Sequence, residues 1–282
     1  MKTRIYIEEH LSNKEIMVTA IDPADVEALE SELDNNKVSL LTSSAFQSFA
    51  TEIGALVCID GSLATPLNRQ AVALGADLVL HSATKYIGGH NDVLAGCISG
   101  PLKLVTEIRK SHYILVGTLN PNAAYLIIRG PKTLHLRVKQ QNSTPLRMAK
   151  ILEAHPKNNP YDILKKDANN AIRFGVGQIV ASHPQHELAI RQMTGFGGVV
   201  SSEPVTFVDA MKIRYIAPSF GGCESLVNQP AIMDVPRSER LKYGIKDNLV
   251  TFLFGVEDFE DLKAIILQAL MPYSYDYMNN RL

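Results

Sequence analysis

Along the first third of the chain, short runs of β-branched and apolar residues alternate with stretches in which apolar positions recur at helical spacing. Residues 16–21 form one such run, Asp22-Pro23 breaks it, and residues 24–33 take the spacing of an amphipathic helix closed by Asn35-Asn36. Residues 38–42, 56–59 and 78–80 predict three further strands. Short apolar strands alternating with helices predict an α/β domain with a largely parallel sheet. Past Asn120-Pro121-Asn122, residues 123–153 are poor in Gly and rich in Leu, Arg, Lys and Gln. That composition predicts one long helix or a pair broken at Pro131. A second unit follows, with strand-like Val199-Val200 and residues 249–254. It closes with a helix over Phe259–Leu270 whose start, at acidic Glu257 and Asp258, suits the helix dipole.

In such sheets, reactive side chains gather where strands end at their carboxyl edge, because the loops there open into a crevice. Asp60 and the group Ser82-Ala83-Thr84-Lys85 both hold that position. The composition narrows what they act on. With 282 residues, 46% hydrophobic and 20% charged, the chain can bury one large core or two smaller ones as a globular protein. Lys+Arg of 28 against Asp+Glu of 29 leaves a net charge of -1. No basic block points to nucleic acid or an anionic membrane, so a small-molecule substrate is expected.

Cys58, Cys97 and Cys223 lie far apart and follow none of the paired spacings of thiolate metal sites, so they read as buried thiols in a reducing compartment. His183 and His186 lack a third ligand at suitable spacing, and no metal is expected. No stretch reaches the roughly 20 apolar residues of a membrane span. Residues 1–11, charged at Lys2, Arg4, Glu8 and Glu9, lack the apolar centre of a secretory signal, and no targeting segment is expected.

Between Asp60 and Gly89 the residue types converge on one chemistry. A carboxylate at a strand end can pair with a protonated ring nitrogen, and hydroxyls beside a glycine-rich turn can receive a phosphate. A lysine between them can form an imine with an aldehyde. Pyridoxal phosphate needs all three. Singly, Lys85 reads as a solvated surface lysine, Asp60 as a strand cap and Gly88-Gly89 as a turn.

The run Ala73-Leu74-Gly75-Ala76-Asp77-Leu78-Val79-Leu80-His81-Ser82-Ala83-Thr84-Lys85-Tyr86-Ile87-Gly88-Gly89-His90-Asn91-Asp92-Val93 resembles the lysine signature of the Cys/Met-metabolism pyridoxal-phosphate enzymes. Further matches are Cys58-Ile59-Asp60-Gly61-Ser62-Leu63-Ala64-Thr65-Pro66, Gly117-Thr118-Leu119-Asn120-Pro121, Ala217-Pro218-Ser219-Phe220-Gly221-Gly222-Cys223-Glu224-Ser225 and Phe254-Gly255-Val256-Glu257-Asp258. With residues 244–270, these are most similar to the plant cystathionine γ-synthase branch, and the resemblance covers residues 1–41, 54–155 and 183–270.

The resemblance implies an aspartate aminotransferase-like α/β fold, fold type I. It implies a shortened cofactor-binding large domain over residues 1–130 and a smaller α/β C-terminal domain over residues 131–282. By the same resemblance, Lys85 forms the imine with the cofactor and shuttles protons, Asp60 pairs with the pyridine nitrogen, and Ser82 and Thr84 hold the phosphate. Ser62 lines the cofactor and Ser219 meets the substrate carboxylate.

The implied reaction is a transferase step of methionine biosynthesis by transsulfuration. The γ-substituent of an activated homoserine, phosphorylated in plants, is replaced by the sulfur of cysteine to give cystathionine. A homo-oligomer, or pairing with a complete homologue, and a plastid location are implied as well. Without a transit peptide the cytoplasm is the alternative.

Several family features have no counterpart. The segment upstream of Met1, with its phosphate loop, ring-stacking tyrosine and residues lent to a partner subunit, is expected to be missing. Where the family carries a Glu-Ser-Pro-Thr-Asn-Pro loop, this chain reads Thr42-Ser43-Ser44-Ala45-Phe46-Gln47-Ser48-Phe49-Ala50. At the position of the arginine that grips the substrate α-carboxylate stands Thr251. One neutral hydroxyl in place of two charge-assisted bonds predicts a loss on the order of a few kcal/mol of substrate binding. Residues 158–181 do not resemble the family, and their apolar spacing fits either a helix or disorder. Two alternatives follow, a cystathionine or methionine lyase of the same family and a truncated paralogue acting as a non-catalytic subunit.

Overall fold

The computed structural model describes residues 31, 40–41, 55–115, 117–154, 186–202, 216–217, 219–229, 231, 236–242, 247 and 249–270. The chain forms two compact units, residues 1–58 and 59–282. In the first, β1 (Leu40–Leu41) runs parallel to the start of β2 (Leu56–Asp60), with Leu40 opposite Leu56 and Leu41 opposite Val57. The strand and helix expected over residues 16–21 and 24–33 fall almost entirely outside the described residues, as do the divergent stretches 42–50 and 158–181.

The second unit begins with the last residues of β2 and contains every candidate site residue. A short helix, α1 (Thr65–Asn68), precedes β3 (Leu78–Ser82), which pairs antiparallel with β4 (Gly96–Ser99) through Val79–Ser99 and Ser82–Gly96. That antiparallel strand is an exception within the largely parallel sheet expected. Next come α2 (Leu102–Leu115), α3 (Pro121–Arg129) and α4 (Leu134–Ala154), the last two joined by a 3-10 turn over Gly130–Thr133. Pro131 sits at the start of that turn, so the break expected there is present.

Asn120 supplies the stop and start that α3 needs. Its backbone is extended, Pro121 fixes the first helical φ, and its side-chain oxygen accepts the Ala123 N–H at 2.9 Å. Asn120→Ala is therefore expected to cost about 1 kcal/mol, read as a drop of about 2–4 °C in the thermal unfolding midpoint.

The chain continues through α5 (His186–Gln192), β5 (Val199–Ser202), β6 (Leu226–Asn228), α6 (Arg237–Lys242), β7 (Val250–Leu253) and α7 (Phe259–Leu270). β7 lies between β5 and β6 and is antiparallel to both. Strand alternation divides this sheet's residues into two sets. Val200, Val227, Val250 and Phe252 join Met148 and Leu152 of α4 and Leu262 and Ile266 of α7 in one core. Val199, Leu226 and Leu253, on the opposite face, pack with Leu63, Ala217 and Phe220. Asp258 caps α7 by accepting the N–H groups of Glu260 and Asp261, so the acidic start serves as an N-cap. Among the described residues, no helix is long and apolar enough to cross a membrane.

Candidate active site

β2 ends at Asp60, and the chain turns at once. Gly61 N–H donates to Leu80 O of β3 at 2.8 Å, and a Cβ on Gly61 would lie 2.6 Å from the His81 ring, so the turn needs glycine to rest on that buried imidazole. Burial lowers the His81 pKa, with Asp60 pulling it the other way. Asp60 is exposed, and its Oδ1 accepts Ser62 N–H at 2.9 Å, which fixes the carboxylate at the strand end. Ser62 Oγ in turn accepts Ser82 N–H at 2.6 Å. Asp60, Ser62 and Ser82 are thus one hydrogen-bonded corner between the ends of β2 and β3.

From Ser82 the backbone winds tightly. Lys85 N–H donates to Ser82 O at 3.0 Å, Gly88 N–H to Ala83 O at 2.7 Å and Gly89 N–H to Lys85 O at 2.7 Å. Thr84 braces the turn against the strand that returns: its N–H donates to Ala95 O at 3.2 Å and its Oγ1 accepts Ala95 N–H at 2.9 Å. Tyr86 is only 1% exposed, and its hydroxyl accepts Gly198 N–H at 2.9 Å; burial raises its pKa to about 12.

Lys85 is half-buried beside it. Its Nζ donates to Ser219 Oγ at 3.2 Å and stands 4.6 Å from the centre of the Phe220 ring. Burial lowers the Lys85 pKa, so more of the amine is neutral at a given pH than for a solvated lysine, and the neutral amine is the nucleophile. Gly221, at φ 80, closes the approach of this loop, since a Cβ there would meet Tyr86 N at 2.6 Å.

The structure therefore joins Lys85 directly to Ser219, and Asp60 to Ser62 and Ser82. Thr251 lies on β7, its Oγ1 3.2 Å from Ser201 Oγ. Alternation places it with Leu253 on the sheet face that packs toward Phe220, the neighbour of Lys85.

Other contributors were not foreseen. Arg137 of α4, 5% exposed, donates from Nη1 to Tyr86 O at 2.8 Å and from Nη2 to Gly130 O at 2.9 Å. Gln141, fully buried, donates to Gly222 O at 2.7 Å. Glu257 accepts both the N–H and the hydroxyl of Ser225, holding the end of the Ser219 loop. Thr65, a β-branched residue at φ 63, is strained backbone just after Ser62. Arg137 and Gln141 carry no sequence signal, because each acts on a backbone group that only the fold brings near, whereas Thr65 and Glu257 lie in stretches that resemble the family. Cys58, Cys97 and Cys223 are half-buried, not buried as expected.

The donor set fits pyridoxal phosphate. A partly desolvated amine, an exposed carboxylate fixed at a strand end, and the hydroxyl-bearing Ser62, Ser82 and Thr84 lie along one corner and the turn that follows it.

Comparison with known proteins agrees with that chemistry. The family model described as Cys/Met metabolism PLP-dependent enzyme matches residues 1–271, a span that includes residues 158–181, expected to fall outside the resemblance. Cystathionine γ-synthase 1, chloroplastic, of Arabidopsis thaliana is 61% identical over 292 aligned residues, which take in 95% of this chain and 49% of that protein. The chain thus spans about half the length of that relative.

Among solved structures, cystathionine γ-lyase from Lactobacillus plantarum, complexed with L-serine, superposes with a TM-score of 0.82 at 29% identity, covering 95% of this chain and 72% of that one. Cystathionine γ-synthase from Xanthomonas oryzae pv. oryzae, in complex with cystathionine, gives the same TM-score, 0.82, at 28% identity and the same coverage, 95% and 72%. The chain has the fold type I architecture of these enzymes.

Proposed function

Because this chain belongs to the Cys/Met metabolism pyridoxal-phosphate-dependent enzyme family, we propose that it replaces the γ-phosphate of O-phosphohomoserine with the sulfur of cysteine, giving cystathionine. The observation that carries this reading is the half-buried Lys85 amine, 3.2 Å from Ser219 Oγ and set above Phe220. Pyridoxal phosphate, when bound, supplies a protonated ring that withdraws electrons from the substrate Cα. Lys85 would hold its aldehyde carbon, Asp60 its ring nitrogen, Ser82 and Thr84 its phosphate, and Ser62 would line it.

In this reading Lys85 moves the Cα proton and then a Cβ proton, phosphate leaves from Cγ, the cysteine thiol gives up its proton and its sulfur bonds Cγ, and protons return to Cβ and Cα. Ser219 offers a hydroxyl to the substrate carboxylate. The proposed arrangement is a cofactor domain over residues 1–130 and a C-terminal domain over 131–282, working as an oligomer in the plastid, the compartment in the name of the Arabidopsis relative.

Thr251 favours a second reading, a chain of weak catalysis that serves as a subunit. It faces the Phe220 side of the sheet with a neutral hydroxyl where the family has an arginine. The two readings separate in one assay, with pyridoxal phosphate, O-phosphohomoserine and cysteine supplied to the purified protein. Cystathionine formation supports the synthase, its absence supports the subunit, and release of a thiol from cystathionine or methionine supplied instead supports a lyase. Thr251→Arg is expected to raise kcat/KM about tenfold to a hundredfold by restoring charge-assisted carboxylate binding. No turnover in either protein would defeat both catalytic readings, and an unchanged kcat/KM in an active protein would remove Thr251 from the carboxylate site.

A further inference from the structure

The hydrogen bonding of Lys85 continues past Ser219. Ser219 Oγ donates to Asn91 Oδ1 at 3.2 Å, and an amide oxygen can only accept, so the one hydroxyl proton is directed at Asn91. The remaining lone pairs of Ser219 are left for Lys85 Nζ, which donates across 3.2 Å. Two features seat the Asn91 amide. Its backbone lies at φ 56, a conformation that asparagine tolerates better than most residues. Its Nδ2 rests on Gly222, where a Cβ would come within 2.3 Å, and Gly222 O is itself held by Gln141 Nε2 at 2.7 Å.

We propose that Asn91 is a positioning residue that, before substrate enters, keeps Ser219 an acceptor toward Lys85, so that the lysine amine is the donor in that pair of the substrate-free site. This deepens the reading of Lys85 as the imine-forming amine, and its consequence for turnover rests on that reading. Without the Asn91 oxygen the Ser219 hydroxyl is free to rotate and donate to the amine. Only a neutral amine can accept, so the neutral form gains. A carboxylate at residue 91 would still accept from Ser219 and would add negative charge, which favours the ammonium.

Four titratable groups around this junction are held elsewhere. Tyr86 is engaged with Gly198, Arg137 with Tyr86 O, Cys223 with Gly89 O and His90 with Gly88 O. Asp92 and Glu224 act on Cys223, and Asp60 on His81. All of them remain in the Asn91 variants, so a difference between those variants and the parent reports on Asn91.

The test is the pH profile of Lys85 acetylation by acetic anhydride in the full chain without cofactor, followed by peptide mass spectrometry. Below the titration midpoint, Asn91→Gly is expected to label about three- to tenfold faster than the parent and Asn91→Asp slower, the midpoints moving by about half to one pH unit. Glycine accepts the φ of residue 91 and aspartate keeps its shape, so at least one variant retains the loop. In a Ser219→Ala background, Asn91→Gly should change nothing. Unmoved profiles in folded variants, or an equal shift in the Ser219→Ala background, would overturn the proposal. Failure of Lys85 to retain cofactor mass after borohydride reduction is a separate result that strikes only the cofactor reading.

Discussion

Lys85→Ala is expected to remove the visible absorbance that the parent protein acquires when mixed with pyridoxal phosphate, and with it any detectable cystathionine formation. Lys85 has two duties in the proposed reaction, and the substitution ends both. As an amine it is the group on the Ser82–Gly89 turn able to bond an aldehyde carbon, and burial keeps more of it neutral than a surface lysine would be. As a base it moves the Cα and Cβ protons, and loss of a positioned acid–base group alone costs about 10²- to 10⁴-fold in rate.

Alanine should leave the fold intact, because the turn is held by backbone bonds such as Gly89 N–H to Lys85 O, which any residue at position 85 can make. The checks are the absorbance spectrum after gel filtration and the mass of the borohydride-reduced peptide. A Lys85→Ala protein that still carries reducible cofactor at the parent's stoichiometry would show that another lysine is the anchor.

What the sequence disclosed follows from what each element buries. Phe259–Leu270 was legible to the residue, because Asp258 caps it and Phe259, Leu262 and Ile266 recur on one face against a core. By contrast α2 has no buried face: Leu104, Val105 and Ile108 recur at helical spacing but are only half-buried, and Tyr113, Ile114 and Leu115 stand together in solvent. β4 and β6 are four and three residues long, too short for a period to show, and the antiparallel return at β4 was missed for that reason.

The site was legible as a turn around Lys85 and only partly as a constellation. Lys85 and Ser219 are 134 residues apart, and no spacing rule connects them. Only the resemblance of both segments to one family put them on the same list of candidates. Asn91 stands within the lysine run, but its role, like those of Arg137 and Gln141, is to serve another group already in place, and such a role leaves no pattern along the chain.

Arg137→Met is expected to lower the unfolding free energy of the cofactor-free protein by about 2–5 kcal/mol, roughly a third of a typical domain's stability. The guanidinium has carbonyl and hydroxyl partners: Tyr86 O at 2.8 Å, Gly130 O at 2.9 Å, Ile87 O at 3.5 Å and, from Nε, Thr133 Oγ1 at 3.1 Å. A buried cation satisfied this way acts as a clamp, tying the residue after Lys85 to the 3-10 turn between α3 and α4. Gly89 makes room for it, since a Cβ there would lie 2.0 Å from Nη1.

Methionine keeps most of the aliphatic volume, so the cost is the desolvated carbonyls of Tyr86 and Gly130, each about 1–3 kcal/mol when left unpaired. Lysine at this position can reach one carbonyl with a point charge but cannot bridge two, so Arg137→Lys should recover only part of the loss. Urea denaturation decides it, with a lower midpoint at an unchanged slope expected. A midpoint for Arg137→Met indistinguishable from the parent's would mean that those carbonyls find other partners and that α4 does not fix the backbone beside Lys85.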